Sequence, residues 1–196
     1  MPLPTQIPSW AYPAAGALAV LALAVWIFLR IRVFRARRAI DAAIASVAYE
    51  MLKNVLLPNG NGGQIHVNYL LLTQRGVLVV DLLDLPGAVF GGEQMLEWAA
   101  IGKKRRYTFT NPQHALYDRM AAVKQLIGEG EVPVEGRIIF TVRSNFPKGK
   151  PRNVVRLDDL TEDFPVVDKV RGNITAAFGD VWDNVKKHAE PNPLAA

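Results

Sequence analysis

Asp81 is the residue that most invites a chemical reading. It ends the run Val77-Leu78-Val79-Val80, whose unbroken apolarity predicts a strand covered on both faces. A carboxylate there must be paired, hydrogen-bonded, metal-bound or solvated at the strand's end, and solvation is the simplest of these. Asn68 lies on the preceding apolar run, where a hairpin would set it beside Asp81, and Glu50 lies on the helix expected before that. The other reactive side chains are scattered. His66, His114 and His188 are far apart and make no zinc pattern, so each reads as a surface or packing histidine. Glu93 and Glu97 are unforced as ligands. The run Lys103, Lys104, Arg105, Arg106 is a local basic patch, read first as a solvated loop and second as a phosphate contact. The sequence has no P-loop, no Gly-x-Gly-x-x-Gly after a strand, no Gly-x-Ser-x-Gly and no His-Glu-x-x-His. With no cysteine, thiol nucleophiles, disulfides and every Cys-ligated metal centre are excluded.

The elements that must position these residues follow from periodicity. Arg37 to Leu57 has Ile40, Ile44, Val47, Met51 and Val55 at three- and four-residue steps, which predicts a helix. Pro58 to Gly63 is a dense turn signal that ends it. Gln64–Thr73 and Gly76–Leu83 read as a hairpin around Gln74-Arg75. Short strands are expected near Ala88–Phe90 and Arg106–Phe109. Asn111-Pro112 should then open a helix that runs to about Ile127 and stops at Gly128. Arg137–Val142 and Asn153–Leu157 read as strands, Asp158 as the cap of a short helix, and 165–188 as a last helix. The order predicts an α/β domain with a mixed sheet flanked by helices.

Charge divides the chain further. Of 196 residues, 23 are Lys or Arg and 18 are Asp or Glu, a formal net charge of +5. The excess sits in Arg30, Arg32, Arg35, Arg37 and Arg38, so a generally basic nucleic-acid coat is excluded. A hydrophobic fraction of 50% with 21% charged residues excludes a disordered chain. Trp10 to Leu29 carries no charge and, as a helix of ~1.5 Å rise per residue, would match a bilayer's hydrocarbon thickness. The expectation is therefore a single-pass membrane protein, the membrane being a partner through one N-terminal transmembrane helix. Its arginine flank would leave residues after 30 in the cytoplasm. The divisions expected are a short extracytoplasmic end at 1–9, a transmembrane helix and flank at 10–36, a domain at 37–164, a C-terminal helix at 165–190 and a tail at 191–196.

The segment Asn68–Gly91, NYLLLTQRGVLVVDLLDLPGAVFG, resembles the core of the NERD, or nuclease-related, domain family. That family's pattern is Asp-His, an apolar run, a turn with Gly, a strand ending Glu-x-Lys, and then Gly-x-Ile-x-Gly. Gly87-Ala88-Val89-Phe90-Gly91 is similar to the last step without a gap. Tyr49-Glu50, Trp98, Phe109-Thr110-Asn111-Pro112, the helix after it and the Gly136–Phe140 strand are similar in order and spacing, over about Tyr49 to Leu160. The resemblance implies a restriction-endonuclease-like fold in which a helix Glu, an Asp and a Glu-x-Lys surround one or two Mg²⁺ ions. Matched by position, the Glu is Glu50, the Asp is Asn68, the second Glu is Asp81 and the Lys is Leu83; the glutamine that follows Asn-Pro is Ala115. One carboxylate is thus a neutral amide and the ammonium is gone. The site is expected to be vestigial, with no cofactor, in a domain that binds or scaffolds a protein partner of unknown identity. The alternative is a metal nuclease with a rearranged site on Glu50 and Asp81, using Mg or Mn. Nucleic acid is a possible partner in either case, through Lys103–Arg106.

Overall fold

The computed structural model describes residues 11–103, 105–128, 132–168 and 175–193, with side chains on the first helix from Leu18 onward. In chain order the elements are α1 (Ala11–Ala45), β1 (Glu50–Pro58), β2 (Gln64–Thr73), β3 (Gly76–Leu83), β4 (Gly87–Phe90), β5 (Glu97–Ile101) and β6 (Arg106–Thr110). There follow α2 (Pro112–Ile127), β7 (Val134–Phe140), β8 (Ser144–Asn145), β9 (Val154–Arg156), α3 (Leu160–Asp163), α4 (Thr175–His188) and β10 (Glu190–Pro191). The chain divides into two compact units, Met1–Ala42 and Ala43–Ala196.

The hairpin around Gln74-Arg75 forms at the expected bounds. Thr73 Oγ1 donates to the Gly76 carbonyl at 2.9 Å and accepts the Arg75 N–H at 3.2 Å, which closes the turn. Gly76 adopts φ +116°, and a Cβ there would lie 2.3 Å from the Pro133 carbonyl, so glycine is required. From this hairpin the main sheet grows in the order β10-β1-β2-β3-β7-β9. β1, β2 and β3 are antiparallel neighbours, whereas β3–β7 and β7–β9 are parallel, so the sheet is mixed as expected. Val77 to Val80 on β3 are fully buried, as a central strand must be. A second sheet, β6-β5-β4-β8, packs its Trp98 into the same core as Leu70, Val79, Leu116, Ile138 and Phe140.

Two small motifs fix how α2 meets the sheets. Asn111 is buried and accepts the Gln113 N–H at 3.0 Å as the helix cap, while its amide donates to the Met95 carbonyl at 2.9 Å. Gly91 lies against the Trp98 ring, where a Cβ would approach to 2.2 Å. Trp98 in turn donates Nε1–H to the Gly92 carbonyl at 3.1 Å. The Gly-Ala-Val-Phe-Gly step is therefore a seat for a buried indole.

Four expectations are corrected. The helix predicted from Arg37 to Leu57 ends at Ala45, and Glu50–Pro58 is a strand. Met51, Leu52, Val55, Leu56 and Leu57 suit either period, and pairing with the outer edge of β2 satisfies backbone groups that a helix would leave open. The helix predicted over 165–188 begins at Thr175; the Val167 N–H instead donates to the Ser46 carbonyl at 2.8 Å, and 169–174 lie outside the described residues. β5 was not anticipated, nor was β10 (Glu190–Pro191), which pairs with β1 where the expected 165–190 segment meets the tail. Finally, no helix among the described residues is long and apolar enough to cross a membrane. The transmembrane helix, the single-pass placement and the cytoplasmic side assigned to residues after 30 are withdrawn with it; residues 1–9 lie outside the described residues. Two of the five arginines have local partners on α1: Arg30 lies over Trp26 at 5.2 Å, and Arg38 lies over Phe34 at 4.3 Å. Arg32, Arg35 and Arg37 are exposed on the same helix.

Gly91→Ala should cost about 2–3 kcal/mol of stability through its clash with the buried indole. Gly179→Ala, in open space on α4, should instead add about 0.5–1 kcal/mol. Urea denaturation of both variants checks the pair, and equal midpoints would contradict this packing.

Candidate functional site

The β2–β3 ladder stops at Tyr69 opposite Val80. One step further in the same register stand Asn68 and Asp81, and there the strands part. β2 goes on pairing with β1 at Val67–Val55, and β3 goes on pairing with β7 at Asp81–Ile138. Asn54, across β2 from Asn68, has φ +52° and falls outside the paired register between Lys53–Tyr69 and Val55–Val67. The mouth between β2 and β3 is thus a break in the backbone hydrogen-bond pattern.

Arg119 of α2 fills that break. Its Nη1 donates to Asp81 Oδ2 at 2.9 Å and its Nε donates to the His66 carbonyl at 2.6 Å, so one guanidinium ties β3 to β2. Leu116 and Val123 set the direction: both are fully buried on the sheet, and Arg119 lies on the same side of the helix between them. Asp81 is 6% exposed, and its second oxygen, Oδ1, has no hydrogen-bond partner; the same holds for His66 Nε2. Burial raises the Asp81 carboxyl above the usual carboxylate range, against the pull of Arg119. Burial and the neighbouring guanidinium both push the His66 imidazole down.

Glu50 is elsewhere. It sits on β1 opposite Leu72, which pairs with Val77, four residues from Asp81 along β3. That is about 13 Å along the strands and 10 Å across two of them, roughly 16 Å in all. Its carboxylate accepts from Trp182 Nε1 at 2.8 Å and Lys186 Nζ at 3.2 Å, fastening β1 to α4. The Glu50 and Asp81 side chains thus serve separate neighbourhoods. Leu83 packs against the core, and Ala115 is exposed. Gln113, two residues earlier, is buried and donates to the Arg152 carbonyl at 2.6 Å. Lys103, Arg105 and Arg106 are exposed at the β5–β6 connection of the second sheet, and Lys104 lies outside the described residues. Glu93, Glu97 and His114 are exposed, and His188 Nδ1 lies 2.9 Å from the Asn184 carbonyl.

A divalent ion fits these residues poorly. The free Oδ1 of Asp81 is one suitable donor, but Arg119 already brings a positive charge to the same carboxylate. Among the described residues no three His, Asp or Glu side chains gather into a metal-holding group. The arrangement neutralises a buried carboxylate with the protein's own cation and cross-links two diverging strands. Sequence reasoning missed Arg119. Its readable signal was a charge set into the apolar stripe Leu116, Met120, Val123 of an otherwise ordinary amphipathic helix.

Arg119→Ala leaves Asp81 buried without a counter-charge and should cost about 3 kcal/mol near neutral pH. A raised folded-state carboxyl binds more protons than the unfolded one, so Asp81 favours folding less as pH rises above the unfolded carboxylate range. Without Arg119 that carboxyl rises further, and His66 regains basicity, so the deficit should be larger at pH 7 than at pH 5. Denaturation at the two pH values measures this; a deficit independent of pH would contradict it.

Comparison with known proteins places the fold in context. The chain matches the nuclease-related domain, NERD, over residues 32–141. It is also similar to an uncharacterised protein of Bacillus anthracis, 24% identical over 117 residues that make up 58% of this chain. The chain spans only 55% of that relative's length. No solved structure matches. Since the match takes in more than half of its residues, including β2, β3, the Asn111 cap and all of β7, the chain belongs to the nuclease-related domain (NERD) family.

Proposed function

We propose that this chain is a catalytically degenerate nuclease-related domain that works as a binding or scaffolding module. The observation that carries the reading is the Arg119 guanidinium on Asp81, the residue matched to the Glu of the family's Glu-x-Lys step. Metal-assisted phosphodiester cleavage needs a carboxylate free to hold a hard cation and a base or ammonium near the attacking water. Here the carboxylate is committed to a guanidinium. The partner position across the strand gap is the neutral Asn68, and the Lys position is Leu83, half-buried against the core. The restriction-endonuclease-like fold is part of the proposal, supported by the mixed sheet and by a strand gap that opens at the matched residues. The Asn111 cap, the Gly91 seat and the Glu50–Trp182 bond hold the scaffold.

The full chain should release no acid-soluble nucleotides from single- or double-stranded DNA or RNA with Mg²⁺ or Mn²⁺. Turnover that disappears in Asp81→Ala would overturn the reading.

A further inference from the structure

β9 is shorter than the strand it borders. It pairs with β7 only from Ile138 to Phe140, whereas β3 pairs with β7 along all of Val134–Phe140. Among the described residues no strand flanks Val134–Arg137 on the outer side. Val134–Arg137, about 13 Å of strand, therefore lack an outer neighbour, with Gly136 buried and the other three half-buried. The direction of their polar groups follows from alternation. The Ile138 N–H donates outward to the Asn153 carbonyl at 2.8 Å, so Gly136 and Val134, two and four residues earlier, also turn N–H and C=O outward. The Gly136 carbonyl accepts Arg137 Nη1 at 2.9 Å, a side chain standing in for the strand that is missing.

A cleft of about 690 Å³ follows this edge. Tyr117 and Met120 border it from α2, Asp163 from α3, and Arg152 and Asn153 close the end where β9 begins. The charges in it are unequal in their commitments. Arg137 is held by Glu135 at 3.1 Å and Asp163 at 3.0 Å. The Arg152 guanidinium is exposed and, among the described residues, makes no hydrogen bond or ion pair. Asn153 beside it has φ +60°, so the backbone bends sharply as it leaves the slot.

We infer that the open edge of β7 binds the extended C-terminal segment of a protein partner, added to the sheet as a strand parallel to β7. A strand in this direction ends at Arg152, which would receive its terminal carboxylate. An antiparallel strand would bring a terminal ammonium to the same guanidinium. The Val134 N–H and C=O and the Gly136 N–H suit a polypeptide, whose added strand would take the Gly136 carbonyl from Arg137; outward carbonyls with Glu135 and Asp163 at the border disfavour a polyphosphate chain. Tyr117 and Met120 supply the apolar wall for one side chain of the peptide. The inference rests on the binding-module reading and gives that module a surface and a class of partner.

Arrays of heptapeptides with free C-termini, probed with the full chain, provide the ligands. Each binder is then made as the acid and as the C-terminal amide and titrated by fluorescence anisotropy. The acid should bind at least about tenfold more tightly than the amide. Arg152→Gln should reduce acid binding to the amide level with no change in thermal midpoint, and Tyr117→Ala should weaken both forms. Equal affinity of acid and amide, loss of acid binding to a single-stranded DNA competitor, or no binder for a chain that still unfolds cooperatively would each overturn the inference. Those results leave the metal-dependent cleavage assay untouched, and Asp81-dependent cleavage would sink the non-catalytic reading whatever the peptides do.

Discussion

The contact on which the rest depends is the ion pair between Asp81 and Arg119. Asp81 is almost entirely removed from water, so its charge is costly unless something answers it. Arg119 answers it and also donates its Nε–H to the His66 carbonyl, at the place where β2 and β3 cease to pair. A single side chain thus compensates a buried charge and covers a gap in the backbone ladder. That double duty commits one carboxylate oxygen, Oδ2, to the cross-link between β3 and β2.

Burial and pairing pull Asp81 in opposite directions, and burial is the stronger. Asp84 is the useful contrast, only a few residues on. It accepts from Thr141 Oγ1 at 2.7 Å and from Arg143, is half exposed, and has its carboxyl lowered, with the hydrogen bond from Arg143 the largest cause. Asp84 therefore favours folding above the unfolded carboxylate range and loses that contribution as pH falls, the reverse of Asp81. Two aspartates close together in sequence obey opposite pH logic because one faces the helix-covered side of the sheet and the other faces water.

Much of this was legible from the sequence wherever local signals and tertiary demand agreed. The β2–β3 hairpin, the Gly87–Gly91 step and the Asn111–Gly128 bounds of α2 combine turn residues, caps and apolar runs that all point the same way. β1 was illegible because Met51, Leu52 and Val55–Leu57 fit a helical stripe as well as a strand, and the unpaired edge of β2 decided between them. Asp81 was singled out, and its neighbourhood with Asn68 follows from the hairpin register. Its partner was not readable, because Arg119 is 38 positions away in sequence and reaches Asp81 only once α2 lies across the sheet. The apolar stretch before Arg30 misled in another way: as a composition it matches a bilayer, but among the described residues no helix meets the length and apolarity that crossing requires.

A calorimetric titration of the full chain with Mn²⁺ near neutral pH tests the central claim most directly, since it reads whether Asp81 is available to a metal at all. If the guanidinium owns the carboxylate, the wild-type chain gives no saturable heat, and Asp81→Ala behaves identically. One saturable site per chain that vanishes in Asp81→Ala would contradict the account.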